Sequence, residues 1–444
     1  MLLALALFYQ TKTFFMIKEL QIRPFARPLF IWIIGILLQV NFSVINESLF
    51  VLLILWVFLL LSKVLCVHTD NNVFVYDVRW VWGIAFLFLL FCVSVLRTFY
   101  VESDQSSSFI NEELILFAEY LQFILREKID VLSLSEEEKT VLATLTLGYR
   151  EGMDWQVRNQ FSVAGVAHLL SVSGFHVAIV GRFFSLLLFF LPQNEFGKWL
   201  KYGLTIAFLW LFVLISGMAA PAIRAALMIS FFLTGRVLER MAERYNILFV
   251  SAFCMLVYNP FYLFDVGFQL TYLAMFSILY FQSRIQRLIR VRNPLFRIPW
   301  NWITVSISAQ LGTAALCLYY FGQFSTVFLL SNLPLTLFST LLIPMALVWM
   351  LLPMEEGWIY VGMKMLVEWL TYQLFHIVDM FSRVVGAALV FRFDFLWMLT
   401  AYVVVIFICL YVHFKQVSYL WCLLVLVLIL IIYRLFEEYI LFSM

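Results

Sequence analysis

Charge is scarce in this chain. Of 444 residues only 13% are Asp, Glu, Lys or Arg, while 64% are hydrophobic. Soluble domains carry about a quarter charged residues, so a water-soluble globular protein is excluded. Cysteine is sparse as well: Cys66, Cys92, Cys254, Cys317, Cys409 and Cys422 are scattered in or beside apolar runs. No CxxC pair and no Cys/His ligand spacing occurs, which argues against a disulfide framework and a zinc site. All six read as small buried apolar side chains, and no metal or cofactor is expected. Short segments of strict apolar–polar alternation are missing, which argues against a membrane β-barrel. The opening residues MLLALALF lack a basic region and a small-residue cleavage site, so they do not read as a signal peptide. Met16 is an alternative start. The net charge of +2 points to no nucleic-acid partner by itself.

Long apolar runs are abundant, and mean hydropathy is +0.98. A bilayer core about 30 Å thick takes roughly 20 apolar residues to cross as helix. Runs occur near 28–42, 48–62, 80–99, 163–191, 199–217, 219–236, 245–258 and 260–282. Others follow near 300–321, 326–352, 357–390, 394–414 and 418–436. The fold class is therefore all-α, a polytopic helical membrane protein with about ten to thirteen membrane segments. Several runs are short, notably 245–258, and are candidates for broken or re-entrant helices.

Basic residues mark cytoplasmic loops. Lys12, Lys18, Arg23 and Arg27 precede the first run and place the N-terminus inside. Arg236, Arg240 and Arg244 form one basic loop, and Arg284, Arg287, Arg290, Arg292 and Arg297 a stronger one. Two segments separate these loops, so both fall on the cytoplasmic side. The arginine cluster is read first as a topology signal, although it also suits a nucleic-acid or lipid phosphate. Residues 100–140 then fall outside and are acidic, with Glu102, Asp104, Glu112, Glu113 and Glu136 to Glu138. Ser106 to Ser108 mark a linker. Ser135 with Glu138 forms a capping-box pattern, which predicts an amphipathic interfacial helix over about 136–160.

Three motifs hold the polar residues of the middle third. The first runs His168-Leu-Leu-Ser171-Val-Ser173-Gly174-Phe175-His176. Polar groups at membrane depth are costly and usually face a bundle interior or a wet path. Ser171 and Ser173 before Gly174 predict a helix break, with Ser173 capping a new helix toward Phe190. The second, Ser216-Gly217-Met-Ala-Ala-Pro221-Ala-Ile-Arg224, sets an arginine just inside an apolar helix begun by proline. The third, Asn259-Pro260-Phe-Tyr-Leu-Phe-Asp265-Val-Gly267-Phe-Gln269-Leu-Thr271, supplies Asp265 as the natural partner of Arg224, with Gln269 on its helix face. Gln310 is a further candidate for a cavity lining. Glu368, His376 and Asp379 fall roughly on one face of a long run. Each residue also has a plain reading, as a cap, a bundle hydrogen bond or a structural ion pair.

The motifs in this order resemble the ComEC competence-protein family, the inner-membrane channel for DNA taken up in transformation. The resemblance is carried by Thr146-Leu-Gly-Tyr-Arg150, by Ala164-Gly165 through Val177, and by Pro221-Ala-Ile-Arg224-Ala. It continues through Arg240, Asn246 and Asn259-Pro260 to Asp265–Thr271. It implies N-terminal transmembrane helices over 1–100 and a short acidic extracytoplasmic segment at 101–140, where the family commonly has an OB-type domain. A channel-forming membrane domain over 141–414 and a C-terminal helix and tail over 415–444 follow. The implied cargo is single-stranded DNA. Arg150, Arg158 and Arg224 would supply charge, Trp155 and Phe175 stacking faces, and His168, Ser171, Ser173, Gly174, His176, Asp265 and Gln269 the rest of the path. Implied partners are the lipid bilayer, DNA-delivery proteins outside, a helicase or single-strand-binding protein inside, and further copies of the chain in a homo-oligomer. The chain has no HxHxDH motif, so any nuclease is expected from another chain. A small-solute or ion transporter gated at Arg224 and Asp265 remains the alternative, and an intramembrane enzyme using His168, Ser173 or His176 a third.

Overall fold

Hydrocarbon offers no partner to backbone N–H and C=O groups, so apolar runs of this length must bond within themselves as helix. The computed structural model follows that rule along the described chain, which comprises residues 23–42, 54, 56–57, 60, 79–103, 112–149, 152–192, 194–239, 243–353 and 357–428. Most of the expected 48–62 span, Lys12, Lys18, the Ser106–Ser108 linker, Arg150, Arg240 and positions 429–436 lie outside those residues.

The first helices are α1 (Ala26–Phe42), α2 (Arg79–Ser103), α3 (Glu112–Asp130), α4 (Glu136–Leu147) and α5 (Trp155–Val163). Next come α6 (Gly174–Leu187), α7 (Glu195–Ile215), α8 (Ala220–Val237), α9 (Arg244–Tyr258) and α10 (Val266–Gln286). The rest are α11 (Pro294–Phe321), α12 (Phe328–Leu351), α13 (Trp358–Ser382) and α14 (Phe395–Phe414), with α15 (Ser418–Leu428) last. Strand structure among the described residues amounts to β1 (Gln323–Ser325) and β2 (Ala388–Val390), antiparallel with Gln323 opposite Val390. The all-helical polytopic fold read from composition is therefore the observed one. Six described helices are long and apolar enough to cross a membrane: Gly83–Glu102, Glu195–Ile215, Ala220–Val237, Pro294–Phe321, Phe328–Leu351 and Phe395–Phe414. The short 245–258 run is α9, one of four shorter apolar helices.

Two expectations change. The helix opened by Ser135 does carry its capping box: Ser135 N donates to Glu138 Oε2 at 2.9 Å and Glu138 N donates to Ser135 Oγ at 3.3 Å. It ends at Leu147, however, where Gly148 adopts φ +73° and its N–H returns to Thr144 O. Every residue from Val141 to Leu147 is buried, so α4 is a core helix and not an interfacial one. Past Lys139 it has no charge to keep a face wet, and a helix apolar all round is a buried helix. The 357–390 run likewise stops as helix at Ser382, and its end pairs as β2.

Contacts divide the chain into two units. The first comprises Met1–Asp154, His168–Leu279 and Leu337–Phe375. Its core is formed by α6, α7 and α8 around Val177, Val180, Leu209, Val213, Ala222 and Ala226, with Ile343 of α12. A second cluster joins α1, α9 and α10 through Trp32, Ile36, Met255, Leu256 and Phe268. Lipid tails are as apolar as leucine, so close packing rather than water exclusion holds such helices together. Gly35 illustrates this, since a Cβ there would stand 2.8 Å from Ser94 Cβ on α2.

The second unit comprises Trp155–Ala167, Tyr280–Thr336 and His376–Met444. Here α11 and α14 run antiparallel, fixed by Tyr402 OH donating to Gly312 O at 2.9 Å and Phe393 N to Leu318 O at 3.2 Å. Ser325 Oγ and Ser331 Oγ donate to Val163 O and Ala164 O, closing the end of α5. Gly165 (φ +80°) is required there, because a Cβ would come within 2.7 Å of Ser325 and Phe328.

Candidate functional site

Three chain breaks of the first unit meet at one point. The end of α4 at Gly148, the entry to α6 at Val172, and the turn between α7 and α8 at Ser216 are in contact. A Cβ on Gly148 would lie 2.9 Å from Ser216 O and 3.0 Å from Val172 Cγ2. Gln122 of α3 completes the junction: its Nε2 donates to Leu147 O at 2.6 Å and lies 2.9 Å from where a Cβ of Gly217 would be. Gly217 and Met218 both have positive φ, +68° and +54°. For Met218 that conformation costs roughly 1–2 kcal/mol, held in place by the packing around it.

The entry to α6 breaks as its serines and glycine indicated. His168 lies in a short 3-10 turn, Ala167–Leu170, and is exposed. Ser171 Oγ donates to His168 O at 3.2 Å. Ser173 is the N-cap residue of α6, yet the cap is made in reverse, by His176 Nδ1 accepting from Ser173 N at 3.2 Å. That bond makes His176 Nε2 the protonated nitrogen of the neutral ring. His176 is 0% exposed, and both its Nε2 and Ser173 Oγ are buried without a hydrogen-bond partner. Gly174 lets α6 lie on α8, its Cβ position 3.4 Å from Ala225 Cβ. Phe175 is half-buried and packs against the α6–α8 core.

One residue before Ala225, Arg224 is 0% exposed. Its Nη2 donates to Gly267 O and Thr271 Oγ1, both at 3.0 Å. Asp265 Oδ2 lies 3.8 Å from Nη1, so the expected ion pair forms, though beyond hydrogen-bonding range. Asp265 also caps α10, accepting from Phe268 N at 2.7 Å. Nε and Nη1 of Arg224 have no hydrogen-bond partner. Gln269 N donates to Asp265 O at 3.0 Å, and its side-chain Nε2 turns back to Leu263 O at 3.0 Å.

Arg158 and Trp155 are exposed on α5, which belongs to the second unit. Arg150 lies outside the described residues. Gln310 lines a cavity of the second unit. Glu368 accepts from Ser133 N at 2.7 Å, and Asp379 pairs with Arg383 at 2.8 Å, so both have structural employment. Asn246 accepts from Phe25 N at 3.1 Å, tying α9 to the start of α1.

Sequence reasoning passed over three residues. Gln122 sits in what looks like an acidic soluble stretch. Arg97 donates to Val257 O and Tyr258 O at 3.1 and 2.6 Å, and Lys128 to Met350 O and Leu352 O at 2.7 and 3.1 Å. Each cation caps the carbonyl end of a helix distant in sequence, where the helix dipole favours positive charge.

Long apolar helices, interrupted where polar side chains gather, define a multi-pass helical membrane protein. The family model described as Competence protein matches residues 145–416, more than half of the chain, and the chain belongs to that family. ComE operon protein 3 of Bacillus subtilis (strain 168) is 31% identical over 202 residues. That alignment covers 45% of this chain and 24% of the relative, so the match spans about a quarter of that protein's length. No solved structure matches the chain.

Proposed function

We propose that this chain is the conduit through which single-stranded DNA crosses the bacterial cytoplasmic membrane during natural transformation. The observation that carries this reading is the set of buried polar atoms with open hydrogen-bonding capacity in one unit: Ser173 Oγ, His176 Nε2, and Nε and Nη1 of Arg224. Buried groups of this kind are normally satisfied, and exceptions mark sites where water or a ligand completes them. They lie on α6 and α8, beside broken helices, in a chain of the Competence family. Irregular backbone at membrane depth is tolerated where it lines a cavity. A strand needs such a wet path with basic and polar lining.

In this reading His168, Ser171, Ser173, Gly174, His176, Arg224, Asp265 and Gln269 border the path. Arg150 and Arg158 provide charge along the strand's route. The N-terminus and the two basic loops face the cytoplasm. Other proteins deliver the strand outside and receive it inside, and a separate chain supplies any nuclease. The conduit itself has no catalytic step.

Deletion of the gene tests the reading, with transformation by linear marker DNA scored separately from uptake into the periplasm. Transformation is expected to fall to background while periplasmic uptake stays normal. Normal transformation would overturn the proposal. Normal transformation with loss of a solute flux would favour the transporter gated at Arg224 and Asp265.

A further inference from the structure

The segment joining α10 to α11 pairs two properties that rarely coexist in water. Arg284, Arg287, Arg290, Arg292 and Arg297 are all exposed. Between them stand Leu288 and Leu295, 79% and 74% exposed, with Ile289, Phe296 and Ile298 also exposed. No Asp or Glu occurs anywhere between Asp265 and Glu355 to neutralise these cations. At a membrane surface the same pattern is favourable, with apolar side chains entering the acyl region and guanidinium groups staying at phosphate level.

Farther along α11, where it packs on α14, lies a matching cavity. Gln286 Nε2 donates to Asn301 Oδ1 at 2.7 Å, which closes the arginine segment against the first turns of α11. Tyr280 is in hydrogen-bond contact with Cys409, near the end of α14. The antiparallel register set by Gly312–Tyr402 and Leu318–Phe393 then leads away from the arginines. It reaches a cavity of about 410 Å³, lined by Leu311, Ala314, Ala315, Phe393, Ala401 and Val405 among others. Its polar lining is Gln310 and Tyr402, and the Tyr402 hydroxyl is already engaged with Gly312 O. From Asn301 to Gln310 the helix rise is about 13 Å, the scale of an acyl chain reaching in from its head group.

We propose that the second unit holds an anionic phospholipid, its phosphate on the arginine segment and one acyl chain in the cavity between α11 and α14. A nucleic-acid strand would account for the arginines. It would not account for the exposed leucines and phenylalanine between them, nor for a hydrocarbon-lined cavity one acyl length below.

The test uses the full chain in detergent and native mass spectrometry, with phosphatidylglycerol or phosphatidylcholine of identical acyl chains added. Wild type is expected to retain phosphatidylglycerol preferentially. Arg287→Gln, Arg290→Gln and Arg292→Gln should each lower that retention about fivefold, the factor for one arginine at an anionic surface. Ala315→Phe, which fills the cavity, should lower retention of phosphatidylglycerol while leaving the preference for its head group. Equal retention of the two lipids, or wild-type retention by the arginine variants, would overturn the proposal. Unchanged retention in Ala315→Phe would overturn the acyl seat. Displacement of the lipid by an oligothymidylate would assign the arginines to nucleic acid instead.

Discussion

Arg224 Nη1 stands 3.8 Å from Asp265 Oδ2, while Nη2 of the same guanidinium donates to Gly267 O and Thr271 Oγ1 at 3.0 Å. The geometry of the arginine is therefore set by neutral oxygens, and its charge is offset by a carboxylate one step away. Asp265 has 47% of its side chain exposed against 1% for Arg224, so one partner of the pair reaches accessible space and the other does not.

Removing either member should cost function, by different routes. Arg224→Ala leaves a cavity and takes one of two donors from Gly267 O, which keeps Thr271 Oγ1 at 2.7 Å, whereas Asp265→Ala leaves a buried cation with neutral partners only. Breaking a fully buried pair costs about 3–5 kcal/mol, and the half-exposed Asp265 lowers that expectation for its own removal. The double variant should be no worse than Arg224→Ala in thermal stability in detergent and in transformation. Strictly additive losses would show that the two residues act independently. Arg224→Lys should rescue only in part, because an ammonium on a shorter flexible stem replaces the rigid guanidinium whose Nη2 reaches both oxygens of α10.

Gly267 tests the same latch from the other side. A Cβ there would stand 3.1 Å from Asp265 Oδ2 and 3.4 Å from Arg224 Nη2. Gly267→Ala should destabilise by about 1–2 kcal/mol, as overpacking commonly does, and reduce transformation. Unchanged melting and transformation would show that the latch has slack.

Gly148 and Gly152 form an internal control. Both have positive φ, +73° and +78°, but a Cβ on Gly148 meets Ser216 O and Val172, while one on Gly152 meets nothing within 4 Å. Gly152→Ala should cost about 1–2 kcal/mol of backbone strain. Gly148→Ala should cost clearly more and separate the junction, lowering the yield of folded protein in the membrane. Equal effects would mean that the junction is not tightly packed.

Much of this was legible beforehand, for reasons that differ by residue. The break at Ser173–Gly174, the Ser135–Glu138 cap and the Arg224–Asp265 pair each follow from a local rule or from the cost of charge in hydrocarbon. Gln122, Arg97 and Lys128 were not legible, because their partners are backbone carbonyls 25, 160 and 222 residues away. Carbonyls leave no trace in residue types. The burial of α4 was in principle readable from its uncharged stretch after Lys139. The three glutamates at its start drew attention to a wet face that ends within one turn. Asp265 and Gln269 share helical spacing, yet Gln269 closes a turn onto Leu263 O, because a helix start offers unpaired carbonyls in the preceding 3-10 turn that compete for its amide.

Ser173 separates a conduit from a catalytic site. Its Oγ has no hydrogen-bond partner, and His176 presents Nδ1 to the Ser173 backbone N–H, not to the hydroxyl. A nucleophilic serine needs a base within hydrogen-bond reach of its hydroxyl, and this histidine has spent the nearer nitrogen on the cap. Ser173→Ala should therefore leave melting within about 0.5 kcal/mol of wild type, as expected where no structural bond is lost. Transformation should be largely retained. His176→Ala removes the cap and should cost about 1 kcal/mol, together with a drop in transformation, because the entry to α6 loses the bond that holds it. A Ser173→Ala variant that folds normally and abolishes transformation would contradict the conduit assignment and point to chemistry at the hydroxyl.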